Sequence, residues 1–421
     1  MISRRRILQG LSFTAASAAL GFVPVGRNAW AAAGDPALGP TRRKLVVVFL
    51  RGAVDGLSVV APYGEKEYAA YRPTIGLAAP GQDGGLLDLD GHFGLHPALA
   101  PLLPYWQGNK LAFVHASGSP DPTRSHFDAQ DYMESGTPGR KGTTDGWMNR
   151  LLGTLPGRAA PTRGLSIGAV LPRIYAGPVP VASMAAGQGA TRPTALDQPQ
   201  VASAFAKLYD GGDLTSRTFR ESQDARRELL ASLDGGPMDK EQAAANNGAP
   251  LPNGFPDDAA RLARLMRNDP NVQLAFVALG GWDTHAGQGA ARGQLANRLG
   301  PLGQGLDVLA QRLGPMLDDT VIVVLSEFGR TARENGNRGT DHGHGNAMWV
   351  LGGPVAGGKV HGRWPGIDES GLHEARDLAI TTDFRDVIAT IAERHLALPD
   401  DQLARLFPGR TPGETPRVLR A

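Results

Sequence analysis

The chain contains no cysteine. Disulfides and thiolate zinc sites are therefore excluded, and any metal must be bound through His, Asp, Glu and hydroxyl groups. It also lacks a dominant charge: 43 Lys and Arg face 41 Asp and Glu, a formal net charge of +2. Part of that small excess lies at the N-terminus. There is no basic stripe with interleaved aromatics, which argues against nucleic acid as a partner. No apolar run is long enough for a permanent membrane span.

The N-terminus instead carries an address. "SRRRILQG" (Ser3 to Gly10) is followed by the Ala-rich "LSFTAASAALGFVPV" and then "AWAAA". A charged start, a short apolar region and small residues at an A-x-A site make a secretory signal, with cleavage after Ala31 or Ala33. The adjacent arginines, preceded by Ser3 and followed by Ile7 and Leu8, resemble the bacterial twin-arginine export motif. Residues 1–31 are thus expected to be read by the twin-arginine translocase, and the mature protein to be periplasmic or secreted. That route carries folded proteins, often with a metal already inside.

Five short apolar runs look like strands buried on both faces: "KLVVVFL" (44–50), "KLAFVHA" (110–116), "VQLAFVAL" (272–279), "VIVVLSEF" (321–328) and "AMWVLGG" (347–353). Between them lie helical patterns such as "ALAPLLPYW", "QLANRLGPLGQGLDVLAQRLGPML" and "DFRDVIATIAERHL". Alternating strand and helix predicts an α/β fold with a doubly wound, mostly parallel sheet. The stretch from about 194 to 269 reads as a helical insertion, its amphipathic patterns separated by "NNGAPLPNGFP". One domain is expected over 44–421.

The acids and histidines fall just past the strand ends. Asp55 follows the first run, and Thr123, Arg124, Ser125 and His126 follow the second. Asp283 and His285, in "GGWDTH", follow the third. Glu327 ends the fourth, and "GRTARENGNRGTDHGHG" continues with Arg330, Asp341, His342 and His344. In open α/β sheets that rim is where ligands bind. Asp283 and His285 are two residues apart, as are His342 and His344, with Gly343 allowing a bend between them. Carboxylate with imidazole suits Zn, Mn or Fe, and water completing the shell would make a hydrolytic site. The remaining histidines, His92, His96, His115, His361, His373 and His395, read as structural.

The order "FLRGAVDGLS", "PTRSHFDAQDYMESG", "GGWDTH", "SEFGRT" and "TDHGHGNAMWVLGG" resembles the bacterial family called domain of unknown function 1501. That family looks like a branch of the alkaline phosphatase and sulfatase superfamily. The resemblance implies a sheet of the alkaline phosphatase-like type. It further implies one or two divalent ions (Zn, Mn or Ca) at the strand ends and a small-molecule phosphate or sulfate ester as substrate.

Carried over, Asp55 matches the first acidic ligand, Asp283 and His285 the later Asp and His pair, and Glu327 a strand-end acid. Phe328 stands where a further His is usual, and His342 or His344 would supply the last imidazole. Asp341 and His126 complete the expected ligand set. "PDPTR" (120–124) matches the superfamily's nucleophile region except that Pro120 occupies the nucleophile position. Ser125 is then the first choice of nucleophile and Ser119 and Thr123 the alternatives, with Arg124 or Arg330 clamping the anion. A formylglycine made from Cys is impossible. A non-catalytic, metal-stabilised envelope protein is the competing expectation, and a metal-dependent oxidoreductase a third.

Overall fold

The structure, a computed structural model, describes residues 22–25, 42–157, 160–168, 170–186, 237–414 and 416–420. The expected export signal lies outside the described residues, except for one short strand within it.

Ten strands form the central sheet: β1 (Phe22–Val25), β2 (Lys44–Leu50), β3 (Leu111–Gly118), β4 (Gly164–Ile167), β5 (Val181–Met184), β6 (Leu274–Leu279), β7 (Thr320–Ser326), β8 (Asn346–Gly352), β9 (Lys359–His361) and β10 (Thr382–Asp383). Their spatial order is β1-β5-β4-β6-β2-β7-β8-β3-β9, with β10 also pairing β3. From β5 across to β7 every pairing is parallel. The helices used below are α1 (His126–Ser135), α2 (Trp147–Thr154), α3 (Pro237–Asn246), α4 (Phe255–Asn268), α5 (Gln294–Leu313) and α6 (Phe384–Arg394).

β2 shows why the sheet is covered on both sides. Leu45, Val47 and Phe49 join one hydrophobic cluster, with α2 and α6. Val46, Val48 and Leu50, alternating with them along the strand, join the other, with α4 and α5. All six are at most 1% exposed, so neither face of the strand meets water. A run without polar alternation is what such a strand requires. The doubly wound α/β expectation is thereby met.

Two strands depart from the parallel reading: β1, which pairs antiparallel with β5, and β8. β8 runs antiparallel to both its neighbours, β7 and β3. The physical reason lies in the connection: residues 327–345 contain no helix to carry the chain back across the sheet, so it returns by a loop. The departure of β8 positions the candidate site, because the start of an antiparallel strand lies at the rim where its neighbours end. The "DHGHG" loop, which precedes β8, is thereby brought beside the segments following β2, β3, β6 and β7.

Of the expected helical insertion over about 194–269, residues 194–236 lie outside the described residues. α3 and α4 are described, and α4 packs along α5 as part of the layer over the sheet, through Phe255, Leu262 and Met266.

Candidate metal centre

Four side chains converge at the rim. The Nε2 atoms of His126 and His342 are 2.9 Å apart, as are those of His285 and His342. Asp283 Oδ1 lies 3.0 Å from His285 Nε2, 3.4 Å from His342 Nε2 and 3.7 Å from His126 Nε2. His126 comes from the first turn of α1 after β3, Asp283 and His285 from the loop after β6, and His342 from the loop before β8.

Each ring is turned inward by an acceptor on its other nitrogen. His126 Nδ1 is 2.8 Å from Glu327 Oε1, His285 Nδ1 is 3.2 Å from Asp341 Oδ1, and His342 Nδ1 is 2.9 Å from the Arg124 carbonyl. With these partners assigning the tautomers, neutral rings carry the proton on Nδ1 and turn three Nε2 lone pairs toward Asp283 Oδ1. Three acceptors and an anion facing each other repel unless positive charge lies between them. Imidazole ligands oriented by carboxylate or carbonyl partners are the usual construction of a metal site.

Two quantities test the fit of a divalent ion. Two imidazoles on one tetrahedral ion hold their nitrogens roughly 3.3 Å apart, and the 2.9 Å separations need only a small opening to match. The charge acts in the same direction: Asp283, Glu327 and Asp341 place three carboxylates around the rings, with Arg330 bound to Asp283.

The titration behaviour shows the same demand. Burial alone pushes His126 down, but Asp283 and Glu327 outweigh it and raise the ring to about 9. Asp283 raises His285, whereas burial holds His342 low. Burial opposes the charge on Asp283, yet the three neighbouring rings and the charge of Arg330 keep its carboxyl well below the usual range.

The other expected site residues have different duties. Asp55 is fully buried and held by Arg72, with Oδ2 2.5 Å from Nη1 and Oδ1 3.1 Å from Nη2. Ser58 and Gln288 also donate to Oδ2, each at 2.7 Å. Burial works against its charge, but Arg72 overrides that and lowers the carboxyl. Its oxygens are committed to this ion pair and not to the histidine cluster, which corrects the expectation of a ligand. Glu327 supports the cluster from behind: Oε1 accepts from His126, from Gly52 N at 2.8 Å and from Gln130 at 3.1 Å. Asp341, which accepts from His285 and from Asn335 at 2.9 Å, does likewise. His344 stacks on His373 with ring centroids 4.6 Å apart and does not join the other histidines. Of the two histidines flanking Gly343, one faces the cluster.

The backbone makes room for that one. Gly343 N donates to the Gly329 carbonyl at 2.8 Å, so the two arms of the loop lie back to back. A Cβ on Gly343 would sit 2.4 Å from the Arg330 carbonyl carbon, a contact only glycine avoids.

Neither expected arginine is available as an anion clamp. Arg330 is fully buried. It donates to Asp283 Oδ1 at 2.5 Å, to the Ala53 carbonyl at 2.6 Å, to the Thr340 carbonyl at 3.1 Å, and to the carbonyls of Gly52 and Trp282. Arg124 is bound to Glu374 at 2.8 Å and to Asp377 at 2.7 Å. Its carbonyl is the part that serves the site.

Nor is Ser125 placed as a nucleophile. It is exposed, and its hydroxyl caps α1 by accepting from Asp128 N at 3.5 Å. Thr123 Oγ1 accepts from Ser125 N at 3.2 Å. The segment 123–126 is therefore a turn and helix start that delivers His126 and orients His342.

A cavity of about 250 Å³ opens beside Asp283 and His285, bounded further by Glu241, Gln242, Gln294 and Arg298. Arg298 was missed from the sequence because it lies inside α5, where an arginine reads as solvated surface. Arg72 was missed because nothing local marks it as the partner of Asp55.

The family model described as "Protein of unknown function (DUF1501)" matches residues 42–407. No curated protein sequence matches the chain. Among solved structures, a 2-O GAG sulfatase is similar at 8% identity and a TM-score of 0.43, over 89% of this chain and 76% of the other. Ps i-CgsB in complex with k-i-k-neocarrahexaose is similar at 11% and 0.38, over 86% and 74%. A protein in the alkaline phosphatase superfamily from Vibrio parahaemolyticus is similar at 12% and 0.34, over 86% and 71%. At these scores the case for function rests on the chain's own atoms.

Proposed function

We propose, for a chain that belongs to the DUF1501 family, a divalent metal centre held by His126, Asp283, His285 and His342 that serves the hydrolysis of phosphate or sulfate esters. The observation that carries the reading is the convergence of three inward-facing Nε2 atoms and one carboxylate next to an open cavity. An imidazole-rich donor set suits Zn, Mn or Fe, whereas Ca, with its preference for oxygen, suits it poorly.

A divalent ion, when bound, supplies Lewis-acid neutralisation of the negative charge that develops on an ester during substitution. The chain's own residues do the rest. Glu327, Asp341 and the Arg124 carbonyl fix the three rings, and Arg330 fixes Asp283, so the donors need only a small opening when the ion arrives. With the hydroxyls of Ser125 and Thr123 engaged in a cap and a turn, water is the attacking group in this reading. The cavity beside His285 admits it together with the ester.

One observation favours a second reading, a non-catalytic metal-stabilised envelope protein. Four protein ligands suffice to close a tetrahedral shell, as in structural sites. A partly exposed His285 next to a cavity weighs against it, since structural sites are enclosed. The two separate in one experiment, in which metal-loaded protein is assayed on an aryl phosphate, an aryl phosphodiester and an aryl sulfate. Turnover lost in His285→Ala together with the metal supports hydrolysis, and full metal occupancy without turnover on any of the three supports the structural reading.

Export through the twin-arginine route belongs to the same proposal. It is supported by the arginines at positions 4–6 and the apolar, Ala-rich run after them. Among the described residues no helix is long and apolar enough to cross a membrane. Replacing Arg4 and Arg5 by Lys and following the protein's appearance in the periplasm tests it.

A further inference from the structure

Arg298 lies on α5, one helical turn after Gln294, and is half-buried in the wall of the cavity beside Asp283 and His285. Among the described residues its side-chain hydrogen bonds are two long ones to neutral amides. Nη1 donates to Gln294 Oε1 at 3.3 Å and Nη2 to Gln242 Oε1 at 3.5 Å. No carboxylate forms a salt bridge with it among the described residues. In this it differs from Arg72, Arg124 and Arg330, which are all tied to acids. A guanidinium has five N–H donors in a planar fork, so most of its capacity faces the cavity unspent.

The site is built to hold this side chain. Gly281, in "GGWDTH", has φ +94°, and a Cβ there would lie 2.5 Å from Leu251 Cδ2 and 2.9 Å from Arg298 Nε. The loop carrying Asp283 and His285 thus passes close against the guanidinium, at a backbone conformation that favours glycine. Gln242 donates to the Asp283 carbonyl at 2.7 Å, and Gln294 to the Ala286 carbonyl at 3.0 Å. The two amides that hold Arg298 are therefore themselves pinned to the loop carrying Asp283 and His285. Position and orientation of the guanidinium are set relative to the metal ligands, not left to solvent.

We propose that Arg298 is the oxyanion-recognition residue of this site, receiving the phosphoryl or sulfuryl oxygens of an anion that also reaches the metal centre. The proposal rests on the metal-centre reading above but not on turnover. Arginine in a fixed fork matches two oxygens of a tetrahedral anion at once, and the cavity's small volume fits a compact anionic group. Glu241, exposed in the wall of the same cavity, has a carboxylate oxygen within 4.8 Å of the ligand atoms of Asp283 and His285. The role expected of Arg124 and Arg330 passes to an arginine that no strand-end motif contains.

The test is calorimetric titration of inorganic phosphate, and separately of inorganic sulfate, into full-length metal-loaded protein. Metal content and melting temperature are measured on the same samples. Arg298→Gln is expected to weaken the preferred anion about 10–100-fold with metal content unchanged, as loss of a charge-assisted pair predicts. Arg298→Lys is expected to recover part of the loss, because charge returns but the fork does not. The stronger of the two anions identifies the ester class. Equal affinity in wild type and Arg298→Gln overturns the proposal, as does failure of both anions to bind metal-loaded wild type. A protein that binds anions through Arg298 yet hydrolyses no ester keeps this inference and loses the hydrolase reading.

Discussion

Replacing Arg72 with methionine separates a structural Asp55 from a metal-binding one. Both partners of the pair are at most 1% exposed in their side chains, and Arg72 also donates to the carbonyls of Ala332 and Thr331, each at 3.0 Å. Removing the guanidinium leaves the Asp55 carboxylate buried, with only Ser58 and Gln288 to hold it. Stranding one member of a buried pair costs about 3–5 kcal/mol. With an unfolding entropy of about 2 cal/mol/K per residue, that is a melting shift of roughly 4–6 °C in a chain of this size. The double variant Asp55→Asn/Arg72→Met removes the stranded charge and is expected to be more stable than Arg72→Met alone. Thermal unfolding with metal analysis of each variant is the assay. The reasoning predicts lower stability and unchanged metal content in Arg72→Met and Asp55→Asn. Metal lost from Asp55→Asn with the melting temperature unmoved would refute it and restore Asp55 to the ligand set.

Glu327→Gln keeps the shape behind His126 but removes the charge that orients it. Metal affinity, measured by competition with a chelator, should fall about 10–100-fold; an unchanged affinity would show that Glu327 does not act on the ring. Ser125→Ala removes a helix cap worth about 1 kcal/mol, so stability should drop slightly while any ester turnover persists. Abolished turnover in that folded variant would make Ser125 the nucleophile after all. His115 is fully buried on β3, its Nε2 2.8 Å from the Val60 carbonyl, and burial holds it down to about 4. Because the folded value lies below the unfolded one of about 6.5, the unfolded chain takes up the proton first as pH falls. Stability present above pH 6.5 is then lost progressively down to about pH 4, by about 3 kcal/mol for this group. His115→Gln should flatten that part of the stability profile, and an identical slope in both proteins would sink the assignment.

The strands were readable because a strand covered on both faces has no room for polar alternation, as β2 and β7 show. The direction of β8 was not, since an apolar run looks the same whichever way it points. That direction depends on the loop between Glu327 and Gly345 lacking a crossover helix. Strand-end placement identified the neighbourhood of His126, Asp283, His285 and His342, because the sheet fixes where those loops begin. It could not separate ligands from their supports. Asp55 and Asp283 look alike in sequence, each a few residues past a strand. Only the fold reveals that Arg72 meets the first and three imidazoles the second. Likewise Arg124 and Arg330 looked like clamps by position, but their partners are distant acids and carbonyls. Arg298, on a helix with no motif around it, lines the cavity instead.

The central claim is that four distant side chains share one divalent cation. Elemental analysis of full-length protein, purified without chelator, tests it directly against the His342→Ala variant. The account predicts about one ion per chain in the wild type, with Zn or Mn foremost, and close to none in the variant. Wild-type protein that stays metal-free after loading with Zn or Mn, or a folded His342→Ala variant that keeps its ion, would contradict it.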